Sequence, residues 1–268
     1  MIGSAVFGTG NANNYDISYE DGSFAITPRD LTLRAGDKTR IYGTENATAV
    51  YTGGTSKFRA DAATATTGLV NGDAVADVTE STNATRTTNV GATGLKTQIA
   101  NATFGAGKAS NYNISYVDGG FDITKRDLYI TAGDKSRTYG DDNETAQYVN
   151  GTSRLNVRAA DATTGLVNGD TIRDVQEYID ANATLTADAG TPNLAVSLLD
   201  AGGNAHLVFG KGKASNYAIS YVDGKFSILP RLVYIGAKDA SRKYGEPNPA
   251  ATAYVQAPTE DTGLVFGA

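Results

Sequence analysis

Apolar and polar residues alternate in short runs along this chain. In Asn111 to Thr124, NYNISYVDGGFDIT, Tyr112, Ile114 and Tyr116 alternate with polar residues, and Phe121 and Ile123 resume the alternation after Asp118-Gly119. A period of two marks a half-buried strand, and Asp-Gly between two such runs predicts a tight hairpin whose two turn residues take positive φ. Leu128-Tyr129-Ile130 alternates again and predicts the strand that opens the next unit. After Asp73 and Asp170 the polar stretches predict one short helix each, capped by the carboxylate, the second over Thr171 to Tyr178.

The same patterns recur in register. NYDISYEDGSFAIT (Asn14 to Thr27) returns from Asn111 and, as NYAISYVDGKFSIL, from Asn216; Asn14 to Asn111 is 97 residues and Asn111 to Asn216 is 105. AGDKTRIYG, AGDKSRTYG and AKDASRKYG end at Gly43, Gly140 and Gly245, and TGLVNGD occupies 67–73 and 164–170 and begins again as TGLV at Thr262. A period near 100 is that of a small domain and not of a solenoid coil, whose units are about 20 to 50 residues long. The expected organisation is therefore the closing part of one repeat (1–29), two whole repeats (30–126 and 127–231) and the opening part of another (232–268).

Composition narrows the class. The chain is 40% hydrophobic, enough for a core, with net charge −6, no cysteine and a single histidine. The charge supplies no footprint for nucleic acid or an anionic membrane, and disulfides and thiolate chemistry are excluded. No apolar run reaches the length of a membrane span, and MIGSAVFGTG is too short and polar for a signal peptide, so any export signal is expected elsewhere.

Taken together, the ordered blocks resemble the MBG domain of the YGX type, a mostly-β repeat of large bacterial surface and secreted proteins, including filamentous-haemagglutinin-like adhesins. The resemblance rests on Tyr42-Gly43, Tyr139-Gly140 and Tyr244-Gly245, on Val-Asn-Gly-Asp at 70–73 and 167–170, and on the segments carrying Asp21-Gly22, Asp118-Gly119 and Asp223-Gly224. It covers nearly the whole chain, although only the third copy continues into Glu246-Pro247-Asn248-Pro249. It implies an extracellular spacer or adhesive array and brings no catalytic residue. Each Tyr-Gly pair reads as a packing anchor followed by a backbone position that wants positive φ.

Other candidates read as structural. His206 alone can build neither a His-dependent triad nor a multi-His metal site, and is expected on a surface strand. Gly105-Ala106-Gly107-Lys108 and Gly210-Lys211-Gly212-Lys213 resemble phosphate loops but lack the distal glycine and precede strands. Asp141, Asp142 and Glu144 are not spaced as a calcium loop. Lys38/Arg40, Lys135/Arg137 and Lys238/Arg242, beside Asp37, Asp134 and Asp239, read as local surface pairs, with glycan binding as the rival role for that loop. Asn-x-Thr/Ser occurs at Asn46, Asn83, Asn101, Asn113, Asn143, Asn150 and Asn182, sites of modification only as a minority reading.

The expectation is a mostly-β protein of tandem small domains, β-grasp-like or immunoglobulin-like, in an elongated array. It is expected to be no enzyme, to need no cofactor or metal, and to act as the stalk of an extracellular adhesin involved in cell adhesion or biofilm. Pro28 and Pro230 restrict φ near the joints and favour a stiff rod. Expected partners are neighbouring repeats of the same or an adjacent chain, with host or matrix glycans as a further candidate, and no nucleic acid and no membrane insertion. The rivals are a head-to-tail filament subunit and a glycan-binding module.

Overall fold

The computed structural model describes residues 4–266, and the fold is mostly β with tandem repeats. It divides into two compact units, one of residues 4–37, 51–83 and 96–120, the other of 38–50, 84–95 and 121–266. These units cut across the sequence period, because each repeat contains two kinds of sheet.

In the first unit, β1 (Arg29–Ala35) runs parallel to β7 (Tyr112–Val117) and antiparallel to β4 (Phe58–Ala60). A long antiparallel pair, β5 (Ala74–Thr82) and β6 (Lys96–Ala106), covers it. Alternation along β1 turns Leu31 and Leu33 into a core completed by Val78, Ile99 and Tyr112. Two further strands, β2 (Lys38–Ile41) and β3 (Val50–Tyr51), follow β1 in the chain, and β8 (Gly119–Thr124) follows β7.

The second unit contains one whole repeat. Its β9 (Arg126–Ala132) sits between parallel β17 (Tyr217–Val222) and antiparallel β12 (Leu155–Val157). A second sheet has the order β11 (Gln147–Tyr148), β10 (Lys135–Thr138), β18 (Gly224–Leu229), β15 (Ala195–Ser197), β14 (Tyr178–Ile179), with β10 and β18 parallel. β13 (Thr171–Val175) pairs with β16 (Leu207–Lys211), and β19 (Ile235–Ala237) with β20 (Ala253–Val255). The first and last strands of the repeat therefore run parallel in both sheets, unlike the antiparallel immunoglobulin sandwich.

Three expectations are corrected. Asp118-Gly119 and Asp223-Gly224 are not hairpin turns: β7 and β8 lie beside β1 and β2, and β17 and β18 beside β9 and β10. Neither glycine takes positive φ. Each marks a corner where two parallel strands change sheet together, and a Cβ on Gly119 or Gly224 would lie 2.4 Å from the carbonyl oxygen of Gly36 or Gly133. Glycine is required there for close backbone approach and not for turn conformation.

The segments after Asp73 and Asp170 are strands β5 and β13, not helices. β-Branched residues pair across to β6 and β16, and ladder pairing overrides the cap signal. Residues 15–28, whose sequence predicts a hairpin around Asp21-Gly22, carry no strand, and Phe24 and Ile26 are exposed. In the whole repeats this sequence pairs with the first two strands of its own repeat.

The glycine loops bear on acids, not phosphates. Gly107 (φ +81°) and Gly212 (φ +80°) turn so closely over Asp73 and Asp170 that a Cβ would lie 2.2 Å from either carboxyl carbon. His206 lies on the surface immediately before β16, with Nε2 3.4 Å from Asp200.

Candidate functional site at the repeat joint

The chain passes from β8 to β9 through Lys125 alone. The side chains around this junction close it. Tyr42, from the first repeat, donates its N–H to Thr124 O (2.9 Å) and is only 3% exposed. Its ring packs edge-on against Tyr217 of the second repeat at 5.6 Å, and Tyr217 stacks on Phe209. Both phenols converge on Asp170 Oδ2, Tyr42 at 3.1 Å and Tyr217 at 2.7 Å. Tyr217 also accepts the N–H of Val167 at 3.3 Å. Burial, and behind it the carboxylate, push the Tyr217 phenol well above the ordinary tyrosine range; burial leads the rise at Tyr42 as well. These phenols are donors held neutral.

Gly43 completes the contact. It takes φ +78°, and a Cβ there would lie 2.3 Å from Val167 Cγ2, so the loop can press against Val167 only as glycine. Around this seam, Asn216 is fully buried, accepts Val90 N–H (3.0 Å) and donates to Asn89 Oδ1 (2.9 Å), while Arg86 Nε donates to Gly43 O (2.9 Å). Tyr42, Phe121 and Ile123 belong to the same buried cluster as Leu128, Ile130 and Phe226, so this core crosses the repeat boundary.

A buried arginine fastens the joint. Arg126 donates to the carbonyls of Asp161, Ala162, Thr164 and Gly165, and its Nη1 reaches Tyr42 O at 3.4 Å. Burial lowers its pKa, but a guanidinium stays charged, and backbone carbonyls satisfy it. Arg29 grips Thr64, Ala65, Thr67 and Gly68 in the same way. Arg231 holds Thr259 and Glu260, reaches back to Tyr139 O (3.3 Å) and pairs with Asp141 at 2.7 Å. At that second joint Tyr139 is half-buried edge-on against Phe266 at 5.8 Å, and a Cβ on Gly140 would lie 2.8 Å from Val265 Cγ2.

The predicted motif residues thus part company. Tyr42-Gly43 and Tyr139-Gly140 lie in joints, Tyr244 is fully exposed with Gly245 beside it, and the Asp-Gly pairs are corners, apart from exposed Asp21-Gly22. Sequence reasoning missed Arg29, Arg126, Arg231 and Asn216 and read Asp73 and Asp170 as helix caps and motif residues, not as acceptors for tyrosine; recurrence at the repeat period was the available signal.

Arg40 and Arg137 are not surface pairs. Both are buried. Arg40 donates to Asn46 Oδ1 (2.8 Å), Ile41 O and Thr85 O, and Arg137 to Asn143 Oδ1 (2.7 Å), Thr138 O and Thr184 O. Asn46 and Asn143 donate their amides to Ala84 O and Ala183 O, so at these two sequons the nitrogen that a glycan would occupy is engaged. Among the described residues no group of three or more His, Asp or Glu side chains is arranged to hold a metal ion.

The family model for the MBG domain (YGX type) matches residues 31–122 and again 128–227, and the chain belongs to this family. It carries two tandem copies of a module of a kind typical of surface proteins. No curated protein and no solved structure matches the chain.

Proposed function

We propose that the chain is a non-enzymatic spacer segment of an extracellular bacterial adhesin or surface fibre, transmitting load and holding a binding region away from the cell. The observation that carries this reading is the parallel pairing of entering and leaving strands. Arg126 to Thr131 lie in register with Tyr217 to Val222, and Lys135 to Thr138 with Phe226 to Leu229. Tension applied at the start of β9 and the end of β18 pulls opposite ends of parallel neighbours. The ladder bonds are then loaded together in shear and do not open one at a time. The buried Tyr42, Asp170 and Arg126 contacts support the same reading, because they carry force across the boundary between repeats.

The test is replacement in the cell that produces the protein. Exchanging the segment for an unrelated folded spacer of equal length should preserve surface display and adhesion, whereas deleting it should reduce adhesion with export intact. Loss of adhesion on the equal-length exchange, with display preserved, would overturn the spacer reading in favour of a binding module.

A further inference from the structure

The two whole repeats differ at one corner. Arg34 on β1 stands directly opposite Arg59 on β4, so two guanidinium side chains share one face of an antiparallel pair. Like charges placed opposite each other destabilise a sheet. One of them is neutralised, because Asp61 accepts Arg34 Nε at 2.8 Å and Nη2 at 3.0 Å. Arg59 feels Asp61 only at longer range, and among the described residues no acid is in ion-pair contact with it. The fold does not demand this arrangement: the second repeat builds the same strand pair with Thr131 opposite Asn156.

The two arginines line a cleft of about 510 Å³ together with Asp37, Gly53, Phe58 and Asp118. That volume lies in the range of small-ligand sites. All of its residues belong to one whole repeat, and it sits at the Ala35 end of β1, away from Arg29. Asp37 Oδ1 accepts Gly120 N–H at 2.7 Å, as Asp134 Oδ1 accepts Lys225 N–H at 2.8 Å in the second repeat. There Asn150 donates to the other oxygen, Asp134 Oδ2, at 3.1 Å. Gly53 holds the matching turn position in the first repeat, with φ +60° beside 56° at Asn150. It has no side chain, so the place that the Asn150 amide fills is left open beside Asp37.

We propose that this cleft of the first repeat binds a carboxylate-bearing sugar of an acidic polysaccharide, a uronic acid by chemical class. Arg59, with Arg34 opposite it, takes the sugar carboxylate, and Asp37 accepts hydrogen bonds from the sugar hydroxyls. A planar guanidinium matches a carboxylate in geometry, and a bound anion relieves the repulsion between the opposed arginines. Asp37 and Asp118 repel a bare sulfate or phosphate, whereas a sugar offers them hydroxyl donors. The inference goes beyond the spacer reading and does not rest on it: one repeat gains a lateral hold on polysaccharide, while the segment still carries a separate binding region away from the cell.

Isothermal titration of the full chain with tetragalacturonate tests it, with maltotetraose and inorganic sulfate as controls. The acidic oligosaccharide should bind and neither control should. Arg59→Asn and Gly53→Asn introduce the residues that the second repeat carries at the same places, Asn156 and Asn150, so circular dichroism should show both variants folded. Each should weaken binding by about tenfold or more, the loss of one hydrogen bond to a charged group. The first removes the partner of the sugar carboxylate, and the second sets an amide against Asp37. A wild type that binds no tetragalacturonate, equal binding of maltotetraose or sulfate, or an Arg59→Asn chain that binds like wild type would overturn the proposal. None of these outcomes bears on the equal-length exchange that tests the spacer reading.

Discussion

The phenol of Tyr42 donates to the carboxylate of Asp170, 128 residues further along the chain and in the next repeat. Tyr217 donates to the same oxygen, so one acid gathers a tyrosine from each side of the boundary. The Tyr-Gly pairs at 42–43 and 139–140 therefore act on the repeat that follows their own.

Tyr42→Ala should destabilise the second unit by about 3 to 5 kcal/mol, the range for truncating a buried aromatic. Tyr42→Phe keeps the ring and loses one hydrogen bond from an acid still held by Tyr217, so about 1 kcal/mol is expected. Denaturant midpoints of the two variants check this; equal losses would mean that the ring contributes nothing beyond its hydroxyl.

Gly43→Ala and Gly72→Ala form a matched pair. Both glycines take φ +78°, but a Cβ on Gly72 enters open space while one on Gly43 meets Val167 at 2.3 Å. Gly72→Ala should cost about 1 kcal/mol, the conformational penalty alone. Gly43→Ala should cost clearly more, and thermal unfolding distinguishes them.

Arg126→Lys keeps the charge and loses the planar fork. A single ammonium cannot reach the carbonyls of Asp161, Ala162, Thr164, Gly165 and Tyr42 together. With several buried acceptors left unpaired, a loss of about 2 to 4 kcal/mol is expected. Hydrogen exchange should quicken in the turn at 161–165.

Stability should fall at both pH extremes. Backbone N–H groups of Thr163 and Thr164 hold the Asp161 carboxylate down at about 2, and Asp61, Asp77, Asp134, Asp174 and Asp200 are also lowered by ion pairs or hydrogen bonds. A depressed folded pKa gives stability that is complete above the unfolded value of about 4 and is lost as pH falls toward 2. The raised phenols of Tyr42, Tyr112 and Tyr217 act oppositely. Their contribution is complete below about pH 10 and is lost above it. Tyrosinate absorbance should show Tyr217 ionising late, together with unfolding.

Much of the fold was legible locally. Leu128, Ile130 and Ala132 are almost wholly buried while Asp127 is exposed, as period-two alternation in β9 requires. Phe121 and Ile123 face inward for the same reason. The positive φ of Gly43, Gly140 and Gly245 was likewise readable from Tyr-Gly. Asp118-Gly119 misled, because a dipeptide that can turn a hairpin can also supply a bare backbone at a strand corner. Choosing between them requires knowing that Gly36 O lies where a Cβ would point.

The sequence by itself determined the strands Tyr112–Val117, Gly119–Thr124 and Arg126–Ala132, which of their faces are apolar and which blocks recur, because alternation and repetition are properties of neighbours along the chain. Only the tertiary structure decided which strands pair, that β9 and β17 run parallel, and that Arg40, Arg126 and Arg137 are buried. It also decided that Tyr42 ends beside Asp170. Those outcomes depend on contacts spanning tens to more than a hundred residues, where shape, hydrogen-bond satisfaction and competition among surfaces are settled together and leave no local pattern.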